Sequence, residues 1–207
     1  MTTTPCTVPP SQWAEIIAAD PDHSHRYAER FRDLEARGND IYGEARLLDA
    51  MLERGSRILD AGCGAGRVGG YLARQGHRVV GVDLDPVLIE AADQDFSGPT
   101  WLVGDLAELD LPSRGVTDPF DAIVSAGNVM TFLHPATRVE VLRRLGAHLA
   151  PDGRAVIGFG ADRGYSFDAY AADISRAGLR IDARFATWDL RPFTGTSDFL
   201  VSILSRP

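Results

Sequence analysis

The chain has 207 residues, 44% of them hydrophobic, which fits one α/β domain with a sizeable core. Its formal net charge of −8 argues against the generic affinity for nucleic acid or anionic membrane that a basic surface confers. No apolar run approaches the roughly 20 residues of a membrane span, and the first residues lack the regions of a signal peptide. The two cysteines, Cys6 and Cys63, argue against a structural disulfide and suit a reducing cytoplasm, and no cluster has metal-ligand spacing.

After a short tail at residues 2–10, residues 11–19 and 24–37 read as polar, amphipathic helices punctuated by Asp20-Pro21-Asp22. A third helix, 44–53, carries Leu47, Leu48, Met51 and Leu52 on one side. From Arg57 short β-type runs alternate with helices. The runs are 58–59, 79–82, 101–103, 122–124 and 155–157, and the helices 68–75, 86–93, 135–149 and 167–177. Pro86 and Pro135 suit first helical turns, and Pro151-Asp152-Gly153 is a turn signal. The alternation predicts a mostly parallel sheet with helices on both faces. Residues 180–188 and 198–204 break it: two strands with no helix between them should pair antiparallel. Residues 1–42 are set apart as a tail and lid helices, and 43–207 as the main domain.

The chemistry starts where the first strand ends, in Ile58-Leu-Asp-Ala-Gly-Cys-Gly-Ala-Gly-Arg67. A strand, a glycine-rich turn and a helix build a nucleotide-binding crevice: glycine lets backbone approach a ligand closely, and the helix start offers free N–H groups. Gly64-Ala-Gly66-Arg-Val-Gly69 matches the dinucleotide pattern, but its first glycine comes too late after Leu59. In the register that begins at the strand end, Arg67 occupies a place that demands a small residue. Asp83 closes the second strand, where a carboxylate can accept both hydroxyls of a ribose in either ligand class. Asp105 closes the third, within reach of an adenine amino group. Acids at three successive strand ends would repel a pyrophosphate and suit a ligand carrying an ammonium and a sulfonium.

With Val82-Asp83-Leu84, Gly104-Asp105-Leu106, Phe120-Asp121-Ala-Ile-Val-Ser125 and Leu149-Ala-Pro-Asp-Gly-Arg154, the chain resembles the class I S-adenosylmethionine-dependent methyltransferases over roughly residues 40–207. The resemblance implies a Rossmann-like, doubly wound sheet of seven strands with an antiparallel C-terminal strand. It places Gly62 and Gly64 under the amino-acid part of the cofactor. Asp60 then orients that loop or approaches the ammonium through water, or is a purely structural acid. Asp83 goes to the ribose, Leu84, Gly104 and Leu106 to the base, and Asp105 to its amino group or to an N-cap. Arg67 reaches the cofactor carboxylate or stays on the surface. Ser125, Ala126 and Gly127 end the fourth strand, where the methyl group meets the acceptor.

Asn128 orients an acceptor or fixes the turn. His134, His23 and His25 are candidate bases with bland readings as helix-start residues. Tyr27, Phe31 and Tyr42 form a lid and part of the acceptor pocket, or simply pack the N-terminal helices. The absence of Asn-Pro-Pro-Tyr-like and Pro-Cys segments makes a small-molecule acceptor the expected partner, with a protein acceptor the alternative and no nucleic acid or membrane. A nicotinamide-dependent reductase and a non-catalytic S-adenosylmethionine-binding domain remain alternatives. The acceptor atom and the oligomeric state stay open.

Overall fold

The computed structural model describes residues 8–207; Cys6 and most of the tail lie outside them. Three helices come first: α1 (Gln12–Ala19), α2 (His23–Ala36) and α3 (Gly43–Met51). The alternating region follows as β1 (Arg57–Ala61), α4 (Arg67–Arg74), β2 (Arg78–Asp83), α5 (Pro86–Asp95), β3 (Thr100–Val103), β4 (Phe120–Ser125), α6 (Val129–Phe132), α7 (Arg138–His148), β5 (Leu149–Gly160), α8 (Phe167–Arg176), β6 (Arg180–Phe185) and β7 (Phe199–Ser205). The strands form a seven-stranded sheet in the order β3-β2-β1-β4-β5-β7-β6. Neighbours from β3 to β5 are parallel, and β7 runs antiparallel to both β5 and β6. The C-terminal pair is therefore antiparallel as expected, but β7 inserts between β5 and β6.

Side chains alternate across the sheet with the two-residue period of a strand. Leu59, Ile123 and Ile157 point to the face covered by α7 and α8, where Leu142, Leu145 and Tyr170 are buried. Their neighbours Ile58, Val124 and Val156 point to the other face, against Leu48 of α3 and Leu72 of α4. A third, small cluster of Trp13, Ala28, Leu88 and Ala91 joins α1 and α2 to α5. Local chemistry sets the helix starts: Ser11 Oγ accepts the Ala14 N–H, Ser166 Oγ the Ala169 N–H, and Asp85 caps α5 ahead of Pro86.

Three expectations change, and one element was not expected. The helix expected over 135–149 is a 3₁₀ turn, Pro135–Thr137, followed by α7, because the His134 ring caps the proline turn separately. Pro151-Asp152-Gly153 does not end a segment: β5 already pairs with β4 at Leu149, and the three residues are absorbed as a register shift. The strand expected to reach Trp188 stops at Phe185, where the chain turns and Ala186 N–H bonds Arg191 O. The short helix α6 carried no apolar period long enough to be read.

Trp101 of β3 fills the space below the glycine loop. A Cβ on Gly81 would stand 2.3 Å from its ring, and one on Gly66 or Gly69 within 2.9 Å. Its indole N–H donates to Phe96 O at 3.1 Å, which fixes the ring. Gly81→Ala is accordingly expected to cost about 1–3 kcal/mol through overpacking, read as a lower urea midpoint at unchanged slope.

Candidate functional site

The carboxyl ends of β1, β2, β3 and β4 open into a cavity of about 450 Å³. This is the edge of an open α/β sheet where ligands bind. Its floor is Asp60 and the loop Gly62–Ala65, with Asp83, Leu84 and the turn Gly104-Asp105-Leu106 to one side and Ala126-Gly127 to the other. Trp13, Tyr27, Ala28 and Phe31 of α1 and α2 roof it, and Val129, Phe132 and Leu133 close the far wall.

The glycine loop is strapped to the end of β2. Gly62 N–H and Cys63 N–H both donate to Val82 O, at 2.8 and 3.1 Å, and Gly64 N–H donates to Asp83 Oδ2 at 2.8 Å. Gly64 sits at φ +54° with only the Tyr27 ring near the place a Cβ would take, so the floor here is open backbone.

Asp83 Oδ1 accepts the Asp85 N–H at 3.0 Å. Burial pushes the Asp83 carboxyl up to about 6 against these hydrogen bonds. Asp60 is 2% exposed and accepts the Gly69 N–H of α4 at 2.8 Å, and burial pushes it up to about 7. Asp105 Oδ1 accepts the Ala107 N–H at 2.8 Å, so it caps a 3₁₀ turn while also lining the cavity.

Arg67, weighed above as a surface residue, is not one. Its guanidinium forms a two-pronged pair with Glu44 at 2.8 and 2.9 Å, donates to Ile41 O and stacks on Phe31 at 5.2 Å. Burial alone would drive both partners toward neutrality; the pair overrides it, holding Glu44 below and Arg67 above their usual ranges. With Arg67 neutralised, the cavity floor stays acidic.

Six residues weighed for the site do not line the cavity. Ser125 is buried within β4, its hydroxyl without a partner among the described residues. Asn128, at φ +67°, uses Oδ1 to accept the Gly160 N–H at 2.8 Å and so fixes the turn onto β5. His134 accepts the Ala136 N–H through Nδ1. Tyr42 packs beside Tyr71 and donates to Glu35 of α2, which lines the cavity in its place. His23 stands against Trp13 and, like His25, does not line the cavity. Conversely, Trp13, Phe132 and Leu133 were not anticipated, since nothing local separates them from core residues.

Residues 58–153 match the family described as a methyltransferase domain. A solved structure from Corynebacterium glutamicum, a TehB-like SAM-dependent methyltransferase, is 52% identical, with 91% of this chain and 100% of that one covered and a TM-score of 0.85. The chain belongs to the class I S-adenosylmethionine-dependent methyltransferases. An uncharacterized methyltransferase of Mycobacterium tuberculosis is 40% identical over 114 residues, 54% of either chain. The 18S rRNA (guanine-N(7))-methyltransferase of Mus musculus is 26% identical over 169 residues, 77% of this chain and 59% of that one. The chain thus spans about half the length of the curated relatives it matches. Among the described residues no helix is long and apolar enough to cross a membrane.

The two raised carboxyls of this methyltransferase have a consequence for stability. Both have folded values, about 7 for Asp60 and about 6 for Asp83, above the 3.8 of an unperturbed aspartate. Between those limits the folded chain holds protons that the unfolded chain has released. Their contribution is therefore fully present below about pH 4 and is lost as pH rises through 6 and 7. Thermal melts of the ligand-free protein are expected to lose stability from these groups between about pH 4 and 7. Asp60→Asn should flatten the upper part of that decline.

Proposed function

We propose that this chain transfers the methyl group of S-adenosylmethionine to a small-molecule acceptor. The observation that carries the reading is the convergence, in one roofed cavity, of an open glycine loop, the Asp83 and Asp105 carboxylates and the Gly127 turn. The donor set suits this cofactor: carboxylates for hydroxyl, amino and ammonium groups, while the guanidinium next to the glycine loop, Arg67, is paired with Glu44 rather than open to a pyrophosphate. Asp83 would take the ribose, Leu84, Gly104 and Leu106 would flank the base, and Asp105 would accept from its amino group. Gly62 and Gly64 would underlie the amino-acid part, with Asp60 holding α4 to the loop. The bound cofactor supplies an electrophilic methyl on a sulfonium, which is the difficult part of the chemistry.

What the chain's own residues contribute is placement and exclusion of water. Ala126, Gly127, Val129, Phe132 and Leu133 offer an apolar wall where the acceptor would lie, and Tyr27 is the titratable group nearest Gly127. Burial raises the Tyr27 phenol above its ordinary value, so it stays protonated and can orient but not deprotonate an acceptor near neutral pH. Holding a lone pair in line is worth about 7–11 kcal/mol of barrier. The helices α1 and α2, residues 1–42 in the sequence reading, act here as the lid. A roofed, acidic cavity in a chain of net charge −8 favours a small molecule over RNA.

Calorimetry with S-adenosylmethionine and S-adenosylhomocysteine, with NAD and NADP as controls, tests the cofactor. Binding of adenosyl ligands alone supports the reading, and nicotinamide binding instead would overturn it. Asp83→Ala should weaken binding by about 1.5–3 kcal/mol per lost charge-assisted bond, tenfold or more. Because only the ionised carboxylate accepts both hydroxyls, affinity should fall as pH is lowered through about 6. A methyl-transfer screen against small amines, thiols and hydroxyl compounds, with an rRNA fragment alongside, then tests the acceptor class; turnover on the RNA alone would sink the small-molecule reading.

A further inference from the structure

Asp85 is 1% exposed and does not line the cavity, yet its carboxylate bonds three helices. Oδ1 accepts the Val87 N–H of α5 at 2.9 Å. Oδ2 accepts the Trp13 indole N–H of α1 at 2.9 Å and the Ser24 hydroxyl of α2. Its own N–H donates to Asp83 Oδ1 at 3.0 Å. One turn of chain, Asp83-Leu84-Asp85, thus holds a cavity-facing carboxylate on one side and the roof on the other.

Capping α5 needs only one oxygen, which an asparagine or serine would supply without burying a charge. The second oxygen is committed to the roof. Trp13, once held, stands edge-on to Tyr27 at 5.2 Å and to Phe132 at 5.5 Å. Tyr27 in turn reaches across the opening: its hydroxyl lies 3.9 and 3.8 Å from where a Cβ on Gly64 and Gly127 would stand. A line of contacts therefore runs from the strand-end carboxylate through Asp85 and Trp13 to the phenol above the glycine loop.

We infer that Asp85 is a positioning residue that makes docking of α1 and α2 and presentation of the Asp83 carboxylate to the cofactor one coupled event. The inference rests on the cofactor reading above. Coupling of this kind is reciprocal: if the docked roof tightens cofactor binding, bound cofactor must tighten the roof by the same factor.

Asp85→Asn keeps an oxygen for the α5 cap but puts an amide N–H₂ group and no charge where the roof donors converge. Trp13→Phe removes the indole N–H and keeps an aromatic ring, and it leaves Asp85 in place should the first variant fold poorly. Hydrogen exchange over residues 11–36 and calorimetry with S-adenosylhomocysteine are read on the full chain. In the unsubstituted protein the ligand should slow exchange over 11–36. In both variants that segment should exchange faster without ligand, the ligand-induced protection should be lost, and affinity should fall at least tenfold, with exchange in β4 and β5 unchanged. Wild-type affinity in a variant whose roof exchanges faster would overturn the coupling, as would unchanged roof exchange in both variants. If the unsubstituted protein binds no adenosyl ligand, the cofactor reading itself fails, and the coupling with it.

Discussion

The bond from Gly64 N–H to the Asp83 carboxylate is the constraint on which the site depends. With the two N–H groups that Val82 O receives, it pins the loop after β1 against the end of β2. A loop with glycines at 62, 64 and 66, all at positive φ, would otherwise sample many shapes. Pinned, it presents open backbone toward the cavity, and Asp60 takes the Gly69 N–H in the first turn of α4. Below the loop, Trp101 accepts no side chain on Gly66, Gly69 or Gly81, so the glycines serve packing on one side and approach on the other.

That arrangement places Asp60 and Asp83 in a buried, low-dielectric setting where charge is costly. Both carboxyls are pushed toward the protonated form, and backbone N–H donors hold them partway back. A cationic or hydroxyl-bearing ligand relieves exactly this kind of stress, whereas a diphosphate would add to it. Arg67 offsets the acids only in part, because Glu44 claims its guanidinium and Phe31 its face. The negative field of the floor is thus preserved by an ion pair between α3 and α4. The same pair holds the Ile41 carbonyl, so the segment joining α2 to α3 is tied to the glycine loop's helix.

The roof is attached through few polar points. Asp85 takes Trp13 and Ser24, and Asp95 takes Arg32 at 2.7 and 3.1 Å. Both acids belong to α5 or its cap, the helix that follows the Asp83 turn. The polar bonds of the roof therefore go to the β2 side of the floor, while its contacts with the β4 side, Trp13 on Phe132 and Tyr27 over Gly127, are packing contacts. The β4 side is secured separately, by Asn128 bonding Gly160 on β5.

Much of this was legible in the chain alone, because the signals are local. The β-type runs, the proline and glycine punctuation and the acid at each strand end need only neighbours a few residues away, and they fixed the alternation, the glycine loop and the places of Asp60, Asp83 and Asp105. Even the antiparallel ending follows from two strands without a helix between them. What the sequence could not hold is which side chains meet across distance. Arg67 looks like any first-turn arginine until Glu44 and Phe31 close on it. Ser125, Asn128, Tyr42 and His134 sit next to site residues in sequence yet point into strand, turn or surface contacts, since a strand reverses its side chains at each residue and a turn redirects them. Trp13 and Asp85, 72 residues apart, become partners only when α1 folds over α5. Tertiary packing alone decides such pairings, because no local propensity depends on them.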